Sequence, residues 1–250
     1  MYDWNSFKNW ARHEHFGLRP EWLEMYKQSL SNNNYVWTIG NRQVQSILEW
    51  VKTIGLATRD GTLSNLGKWF IKGEISIESE LFWEIVWVNV VFSLPTARWY
   101  AHNVDGRMSW KDINTLIMAM VPRLSARTLE NALYGLKDTL IRTPIGYDLK
   151  QGAFHKKDGE MFVVRNGIIP SPKVALYAII KLFAEERRDE IGLDEELTWP
   201  WVIFNVPKDE ILRLIVSTQE GAVSFQSNIV RLMAKGEALG KWLDGSMLIT

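Results

Sequence analysis

The residues best suited to metal or acid–base chemistry stand near the start of the chain, where His13, Glu14 and His15 are consecutive. Two imidazoles and one carboxylate form a set that zinc or another divalent metal accepts. Residues i and i+2 point to different sides of a helix, so both histidines would reach one metal only from an extended segment. The pattern therefore favours a structural role, in which His13 or Glu14 holds the first helix in place.

Metal-dependent DNA nicking is a second interpretation of the same residues, with His13 and Glu14 as candidate catalytic residues and Mg²⁺ or Mn²⁺ as the metal. Such an enzyme needs two or three carboxylates converging on the cation and a group that moves protons. Asp148 and Glu160 are weak candidates, because we expect both on hairpin edges, where acids are usually solvated. The sequence thus leaves open whether the protein is an enzyme.

Several chemistries are excluded. The chain contains no cysteine, which rules out disulfides, thiolate metal sites and cysteine nucleophiles. A Gly-rich phosphate loop, a nucleophile elbow and a dinucleotide fingerprint are absent from the sequence, which argues against nucleotide hydrolysis and hydride transfer.

The clearest structural pattern follows Gly40, where apolar residues from Val44 to Ile54 recur at helical spacing until Gly55. The N-terminal end of this helix is rich in long hydrogen-bonding side chains, as in helices that enter the major groove. A turn at Arg59-Asp60-Gly61 predicts a small two-stranded wing, and Ser64 then caps another helix. This order indicates a winged helix, whose candidate DNA-binding residues are Arg42, Gln43, Gln45, Lys52 and Arg59.

A second unit, in the middle of the chain, has a similar predicted order of two helices followed by a hairpin. Ser109 and Ser125 are placed to cap two helices, and Lys156-Lys157-Asp158-Gly159 predicts the tip of a hairpin. The candidate DNA-binding residues here are Arg127, Lys156 and Lys157, with Arg123 and Lys137 beside them.

The charges are unevenly distributed along the chain. Residues 121–173 contain nine Lys or Arg and five Asp or Glu, whereas residues 184–220 contain four Lys or Arg and ten Asp or Glu. Ordinary solvated surface explains such charge runs more often than a binding face does, and the zero net charge argues against a non-specific basic coat.

The remaining segments look helical, with proline in the first turn at Pro20, Pro172 and Pro207. The apolar run 81–94 is too short and too polar to span a bilayer, and the N-terminus lacks the pattern of a signal peptide. We therefore expect a cytoplasmic protein with no membrane contact.

The predicted fold is mostly α with small β-hairpin wings (α+β), in which winged helix-turn-helix-like modules pack with additional helices. We predict an N-terminal winged-helix-like domain, 1–105, and a mainly helical C-terminal domain, 106–250, with a second helix-turn-helix and hairpin unit.

Several motifs resemble the bacterial DUF 4007 family. The run from His13 to Leu23 is similar to its opening signature, a His-Glu-x-Phe followed by Arg and Trp-Leu. Further similar segments are 38–47, Trp50, 63–67 and the block from 81–83 to 99–100, so the resemblance covers the first hundred residues clearly and the rest loosely. Members of the family often carry a cysteine in the middle region, whereas this chain has none.

The resemblance implies a DNA-binding, nicking-associated subunit of a DNA phosphorothioation system used in phage defence. It implies DNA as a partner, together with a cysteine desulfurase and sulfur-transfer proteins of the same system. A non-catalytic scaffold that joins the enzymes of the modification complex is the alternative, prompted by the zero net charge and the 13 tryptophans.

Overall fold

The fold is known from a computed structural model that describes residues 2–13, 15–32, 34–218 and 221–249. A short 3-10 turn, Trp4–Ser6, precedes the helices α1 (Pro20–Ser31), α2 (Asn41–Thr53), α3 (Asn65–Lys72), α4 (Glu80–Ser93), α5 (Pro95–Asn103), α6 (Trp110–Met120), α7 (Ala126–Arg142), α8 (Pro144–Tyr147), α9 (Pro172–Glu186), α10 (Pro200–Phe204), α11 (Lys208–Thr218), α12 (Gly236–Leu243) and α13 (Ser246–Ile249). The strands are β1 (Gly106–Ser109), β2 (Ala153–Lys157), β3 (Glu160–Arg165), β4 (Glu190–Gly192), β5 (Val223–Gln226) and β6 (Ile229–Leu232). The fold is therefore α+β, as predicted.

Helix α4 forms the centre of the core. Its residues from Phe82 to Val91 are all buried, and it contacts α2, α5, α8, α9 and α10. A helix that is apolar on every side is stable only when other elements surround it, so the sequence correctly predicted a buried helix here. Among the described helices, none is long and apolar enough to cross a membrane.

One order of elements occurs twice along the chain. The middle unit, residues 95–165, runs α5, β1, α6, α7, β2, β3, with the single-turn helix α8 inserted before β2. The C-terminal unit, residues 172–232, runs α9, β4, α10, α11, β5, β6. Both units contain a three-stranded antiparallel sheet with its last strand in the centre, in the orders β1-β3-β2 and β4-β6-β5. The predicted boundary between residues 105 and 106 falls inside the middle unit, and the division into two domains stays a prediction.

The sequence predicted the β2–β3 hairpin but not the C-terminal sheet, so the interpretation of this region as helical was wrong for β4, β5 and β6. These strands are three or four residues long, which is too short for an alternating pattern to stand out. The turn between β5 and β6 is Ser227-Asn228, where Ser227 has φ +55°. It lacks the glycine that usually signals a hairpin turn.

Three predicted helix starts are confirmed by their caps. The side chains of Ser64, Ser109 and Ser125 each accept a hydrogen bond from the backbone N–H three residues later. Such caps satisfy N–H groups that have no partner inside the helix. The caps therefore fix where α3, α6 and α7 begin, and hence which side chains their first turns present.

Arg165, at the end of β3, ties the middle unit to the C-terminal unit. Its wholly buried guanidinium donates to the carbonyls of Ala101 and Val104 beside the end of α5, and to those of Val202 and Ile203 in α10. Its Nε donates to the Gln151 side chain at 3.0 Å. Burial lowers the pKa of Arg165 to about 10, so the group stays charged at neutral pH. These bonds fix the base of the β2–β3 hairpin.

Candidate nucleic-acid interface

The β2–β3 hairpin presents the predicted lysines to solvent. Its two-residue turn, Asp158-Gly159, has φ values of +51° and +81°, the conformation that suits a tight hairpin. Lys156 pairs with Met161 and Lys157 pairs with Glu160, so the two lysines lie on opposite faces of the hairpin. Both lysine side chains are exposed. The hairpin thus carries one cation on each face near its tip.

The solvent face of the same sheet carries a cation stacked on an aromatic ring. β1 pairs with β3 so that Arg107 lies opposite Val164, which places Arg107 on the same face as Phe162, His155 and Lys157. The guanidinium of Arg107 lies 4.1 Å from the centroid of the half-buried Phe162 ring. Arg107 and His155 are exposed. We call Arg107, His155, Lys157 and Phe162 the sheet-face cluster.

Sequence reasoning missed three members of this cluster, Arg107, His155 and Phe162. The alternation of residues 153–165 about Asp158-Gly159 contained the signal for His155 and Phe162, since it places them on one face with Lys157. Arg107 had no such signal, because its position depends on the pairing of β1 with a strand more than fifty residues later.

Helix α7 connects to this hairpin through Lys137. The Lys137 ammonium lies 5.7 Å from the ring centroids of both Trp110 and Phe154, which pack edge to face. Lys137 is therefore partly held against aromatic rings. Arg127, in the first turn of α7, is exposed, and at 1.5 Å rise per residue it lies about 15 Å along the helix from Lys137. Arg123 is also exposed, in the loop before α7.

The predicted reading helix α2 presents part of its polar face. Arg42 and Gln45 are exposed, whereas the Gln43 side chain accepts a hydrogen bond from the Gly40 N–H at 3.3 Å and caps its own helix. Lys52 pairs with Glu49 at 3.2 Å. Arg42 and Gln45 are thus the members of this set that are exposed at the N-terminal end of the helix.

The wing predicted after α2 is a turn and not a two-stranded hairpin. A single bridge joins Ala57 to Leu63, and Asp60 accepts hydrogen bonds from the hydroxyls of Thr58 and Thr62 inside the turn. Those two bonds lower the pKa of Asp60. Arg59 is exposed at this turn. Backbone hydrogen bonds from Thr58 N–H to the Thr62 carbonyl and from Ser64 N–H to the Leu56 carbonyl close the segment on either side of this bridge, and the segment is too short for a longer ladder.

His13 lies in the core. Its ring stacks on Trp50 at 3.9 Å, and its Nε2 is 3.0 Å from the hydroxyl of Thr53. Because that hydroxyl gives its one hydrogen to the Glu49 carbonyl, His13 Nε2–H must be the donor. His13 Nδ1 then carries no hydrogen, and within the described part of the chain it has no hydrogen-bond partner. Burial lowers the pKa of His13 to about 3, with a smaller contribution from Arg12.

The family-like signature around His13 makes contacts that join α2 to α7. Trp50 Nε1 donates to the Phe16 carbonyl at 3.0 Å, and the Leu18 N–H donates to the Thr139 hydroxyl at 2.8 Å. Gly17 passes so close to α7 that an added Cβ would lie 2.4 Å from the Thr139 nitrogen. His15 packs against Phe16, whereas Glu14 lies outside the described residues. The described part of the signature therefore has a structural role.

The acidic candidates do not come together. Asp148 follows α8 and borders a groove of about 540 Å³ that also contains Glu78, Glu80 and Lys150. Glu160 lies on the hairpin opposite Lys157. Among the residues that the structure describes, no group of three or more His, Asp or Glu side chains is arranged to hold a metal ion.

Comparison with known proteins gives a match in structure but not in sequence. No protein-family model matches the chain, and no curated protein does. A magnesium ion-bound crystal structure of SspB superposes with a TM-score of 0.69 and 16% identity, covering 94% of this chain and 87% of the SspB chain. A second SspB crystal structure gives a TM-score of 0.67 and 15% identity, with the same coverage. The chain has the SspB fold.

One of these SspB structures binds magnesium, which raises the question of whether this chain suits the same ion. Mg²⁺ requires near-octahedral oxygen ligands, usually one or two carboxylates with waters or phosphates. His13 is buried and donates to Thr53, Asp148 and Glu160 lie on separate elements, and the described residues contain no three-ligand group. His13, Asp148 and Glu160 therefore do not form one magnesium site together, and the SspB fold alone assigns none to this chain.

Proposed function

We propose that this protein is a DNA-binding component of a DNA phosphorothioation system, and that its middle unit contacts the DNA. The observation that carries the proposal is the exposed β2–β3 hairpin with Lys156 and Lys157 near its tip and the sheet-face cluster at its side. The SspB fold and the DUF 4007-like motifs support the phosphorothioation part. Cysteine desulfurase and sulfur-transfer proteins are the proposed protein partners.

The order of the middle unit supports a winged-helix interpretation. A helix, a strand, two helices and a hairpin in sequence, with the last strand central, is the topology of a winged helix. In this interpretation α7 is the reading helix and β2–β3 is the wing. Arg127 then lies at the N-terminal end of the reading helix, where helix-turn-helix proteins place residues that touch base edges.

The two kinds of surface residue would contact different parts of DNA. Lys156 and Lys157 are point charges suited to phosphates, which fix the position of a protein on DNA without reading its sequence. Phe162 and Arg107 offer a ring and a planar cation on one open face, which suits the stacking of an unpaired base. We therefore propose that α7 and the wing hold duplex DNA and that the sheet-face cluster contacts unpaired bases where the duplex opens.

Fluorescence anisotropy with a labelled 20-nucleotide single strand and its duplex tests the proposal. Replacing both lysines, Lys156→Ala with Lys157→Ala, should weaken binding roughly tenfold at 0.15 M salt. The slope of log K against log salt should fall in magnitude by about 1.4 on the single strand and about 1.8 on the duplex. The matched control is Lys8→Ala with Lys68→Ala, which removes two exposed lysines outside the middle unit. Equal weakening by both pairs would refute the assignment to the hairpin.

Phe162→Ala separates stacking from charge. Stacking on an aromatic side chain contributes about 1–3 kcal/mol per base, so this variant should weaken single-strand binding at least fivefold while duplex binding changes little. Equal losses on the two DNA forms would mean that Phe162 only supports the fold of the sheet.

The N-terminal residues Arg42, Gln43, Gln45, Lys52 and Arg59 are proposed as a second contact region. Their test is Arg42→Ala with Lys52→Ala in the same assay, where weaker binding and a flatter salt dependence are expected. An unchanged binding curve would remove this region from the interface.

Metal-dependent nicking is a second candidate activity, favoured by the magnesium bound in one SspB structure. Supercoiled plasmid incubated with Mg²⁺ or Mn²⁺ reports retardation and nicking in the same gel. Open-circle product that disappears with chelator would establish an enzyme and direct attention to Glu14 and the surface acids. Retardation without cleavage would leave a DNA-binding subunit whose chemistry a partner supplies.

A further inference from the structure

A cleft of about 450 Å³ lies where the N-terminal segment meets the loop between β4 and α10. Aromatic side chains from both segments and from the end of α5 line it, namely Tyr2, Trp4, His102, Trp199 and Trp201. Trp199 is buried and holds the loop to the core, whereas Trp201 and Tyr2 are half-buried and face the cleft.

Hydrogen bonds and ring stacking give this cleft a fixed shape. The Tyr2 hydroxyl lies 2.9 Å from the Thr198 hydroxyl and accepts from the Thr198 N–H at 3.2 Å, which joins the chain start to the loop. His102 Nε2 contacts the same Thr198 hydroxyl at 3.1 Å. The rings of Trp199 and Trp201 stack with centroids 4.7 Å apart. A preformed aromatic wall loses little conformational entropy when a ligand binds.

The rim of the cleft is acidic. Asp194, Glu195 and Glu196 follow one another along it. The Glu195 carboxylate accepts hydrogen bonds from the Arg188 guanidinium at 2.7 Å and from the Gly192 N–H at 2.8 Å. These two bonds lower the pKa of Glu195. Asp194 is exposed and, among the described residues, has neither an ion-pair nor a hydrogen-bond partner. Repulsion by these charges opposes phosphate groups, so nucleic acid is a poor occupant.

A cation already contacts this wall. The Lys208 ammonium lies 5.5 Å from the Trp201 ring centroid and donates to the Leu193 carbonyl at 2.8 Å. Arg98 is paired with Glu185 at 2.5 Å and is buried, and Arg188 is paired with Glu195 at the rim. None of these three cations forms an ion pair with Asp194 among the described residues. The cleft therefore combines the half-buried rings of Tyr2 and Trp201 with an exposed carboxylate.

We propose that this cleft binds an arginine-bearing segment of a partner protein. A planar guanidinium stacks on aromatic rings and also donates two parallel hydrogen bonds to a carboxylate, a bidentate geometry that a lysine ammonium lacks. The cleft is lined by the N-terminal segment, the β4–α10 loop and the ends of α5 and α6, whereas the proposed DNA contacts lie on α2, on α7 and on the β1-β3-β2 sheet. The two sites share no residue, so the proposal does not depend on DNA binding.

Isothermal titration of the full chain with an acetylated, amidated tri-arginine peptide at 50 mM salt tests the proposal. Removing two rim charges with Asp194→Asn and Glu196→Gln should weaken binding roughly tenfold, the equivalent of about 1.4 kcal/mol. The matched control, Asp209→Asn with Glu210→Gln, removes two charges from the start of α11 in the same acidic segment and should change binding less than twofold. A tri-lysine peptide should bind several-fold more weakly than tri-arginine.

Three results would overturn the proposal. Equal weakening by the rim and control pairs would mean that the peptide responds only to overall charge. Equal binding of tri-arginine and tri-lysine would exclude recognition of the guanidinium. Binding of adenosine monophosphate that the rim pair strengthens would identify a nucleotide site instead. The rim pair should leave the DNA anisotropy curve unchanged, so failure of this proposal is distinguishable from failure of the DNA-binding proposal.

Discussion

The structure predicts that His13 makes the protein sensitive to acid. Its neutral ring is buried, stacks on Trp50 and donates to Thr53, and burial holds its pKa at about 3 in the folded state against 6.5 for an ordinary histidine. In the unfolded chain the His13 ring therefore binds a proton below about pH 6.5, whereas in the folded chain it stays neutral until the pH is near 3. Stability must fall across that window as the pH is lowered.

The magnitude follows from the two pKa values. With 6.5 in the unfolded chain and about 3 in the folded chain, lowering the pH from 7.5 to 5 costs about 2 kcal/mol through His13 alone. His102, whose pKa burial lowers to about 4, adds a similar loss. In His13→Phe, which keeps a ring against Trp50, the loss between these pH values should be smaller by about 2 kcal/mol.

Urea unfolding at pH 7.5 and pH 5, followed by far-ultraviolet circular dichroism, measures this difference. The control is Val51→Ala, which truncates a buried residue of α2 without removing a titratable group. It should lower stability by a similar amount at both pH values. If His13→Phe loses as much stability on acidification as the unmodified protein, His13 titrates in the folded state, and its assignment as a buried neutral residue is wrong. A general base near neutral pH needs a pKa close to 7, so the same experiment decides whether His13 is suited to catalysis.

Two further predictions concern the junction of the middle and C-terminal units. Arg165→Met should destabilise the protein by roughly 3–5 kcal/mol in urea unfolding, because it leaves several buried carbonyls without a donor; a loss below about 1 kcal/mol would show that water replaces the guanidinium. Gly167→Ala should cost more than about 2 kcal/mol, since Gly167 has φ +61° and an added Cβ would lie 1.8 Å from the Phe204 carbonyl oxygen. Measured thermal unfolding equal to that of the parent protein would contradict this close approach.

Local sequence signals predicted the parts of the fold whose causes are local. The capping serines act within one helical turn, and Asp158-Gly159 adopts the positive φ values that its residue types favour. The burial of α4 was also predictable, because nearly every residue from Leu81 to Phe92 is apolar. In each case the residues that determine the structure are neighbours in sequence.

The candidate sites were predictable only in part, because they depend on contacts between distant segments. Lys156 and Lys157 were found from their own turn, but the stacking of Arg107 on Phe162 needs the register of β1 against β3. The cleft needs Tyr2 to meet Thr198 across nearly the whole chain. The pattern around His13 favoured a structural role but left a metal site open, because sequence spacing cannot reveal that the ring is stacked on Trp50 and buried.

The two repeated units differ in how their surface cations are paired with acids. In the middle unit the hairpin cations Lys156 and Lys157 are exposed, and only Lys157 has an acid directly opposite on the neighbouring strand. In the C-terminal unit Arg231 on β6 pairs with Glu190 on β4 at 2.8 Å, and Lys235 just beyond it pairs with Asp189 at 2.5 Å. Cations held by acids release few counterions when DNA approaches, and the acids themselves repel phosphates. This difference in charge pairing supports the proposed division, with DNA on the middle unit and a cationic protein partner beside the C-terminal unit.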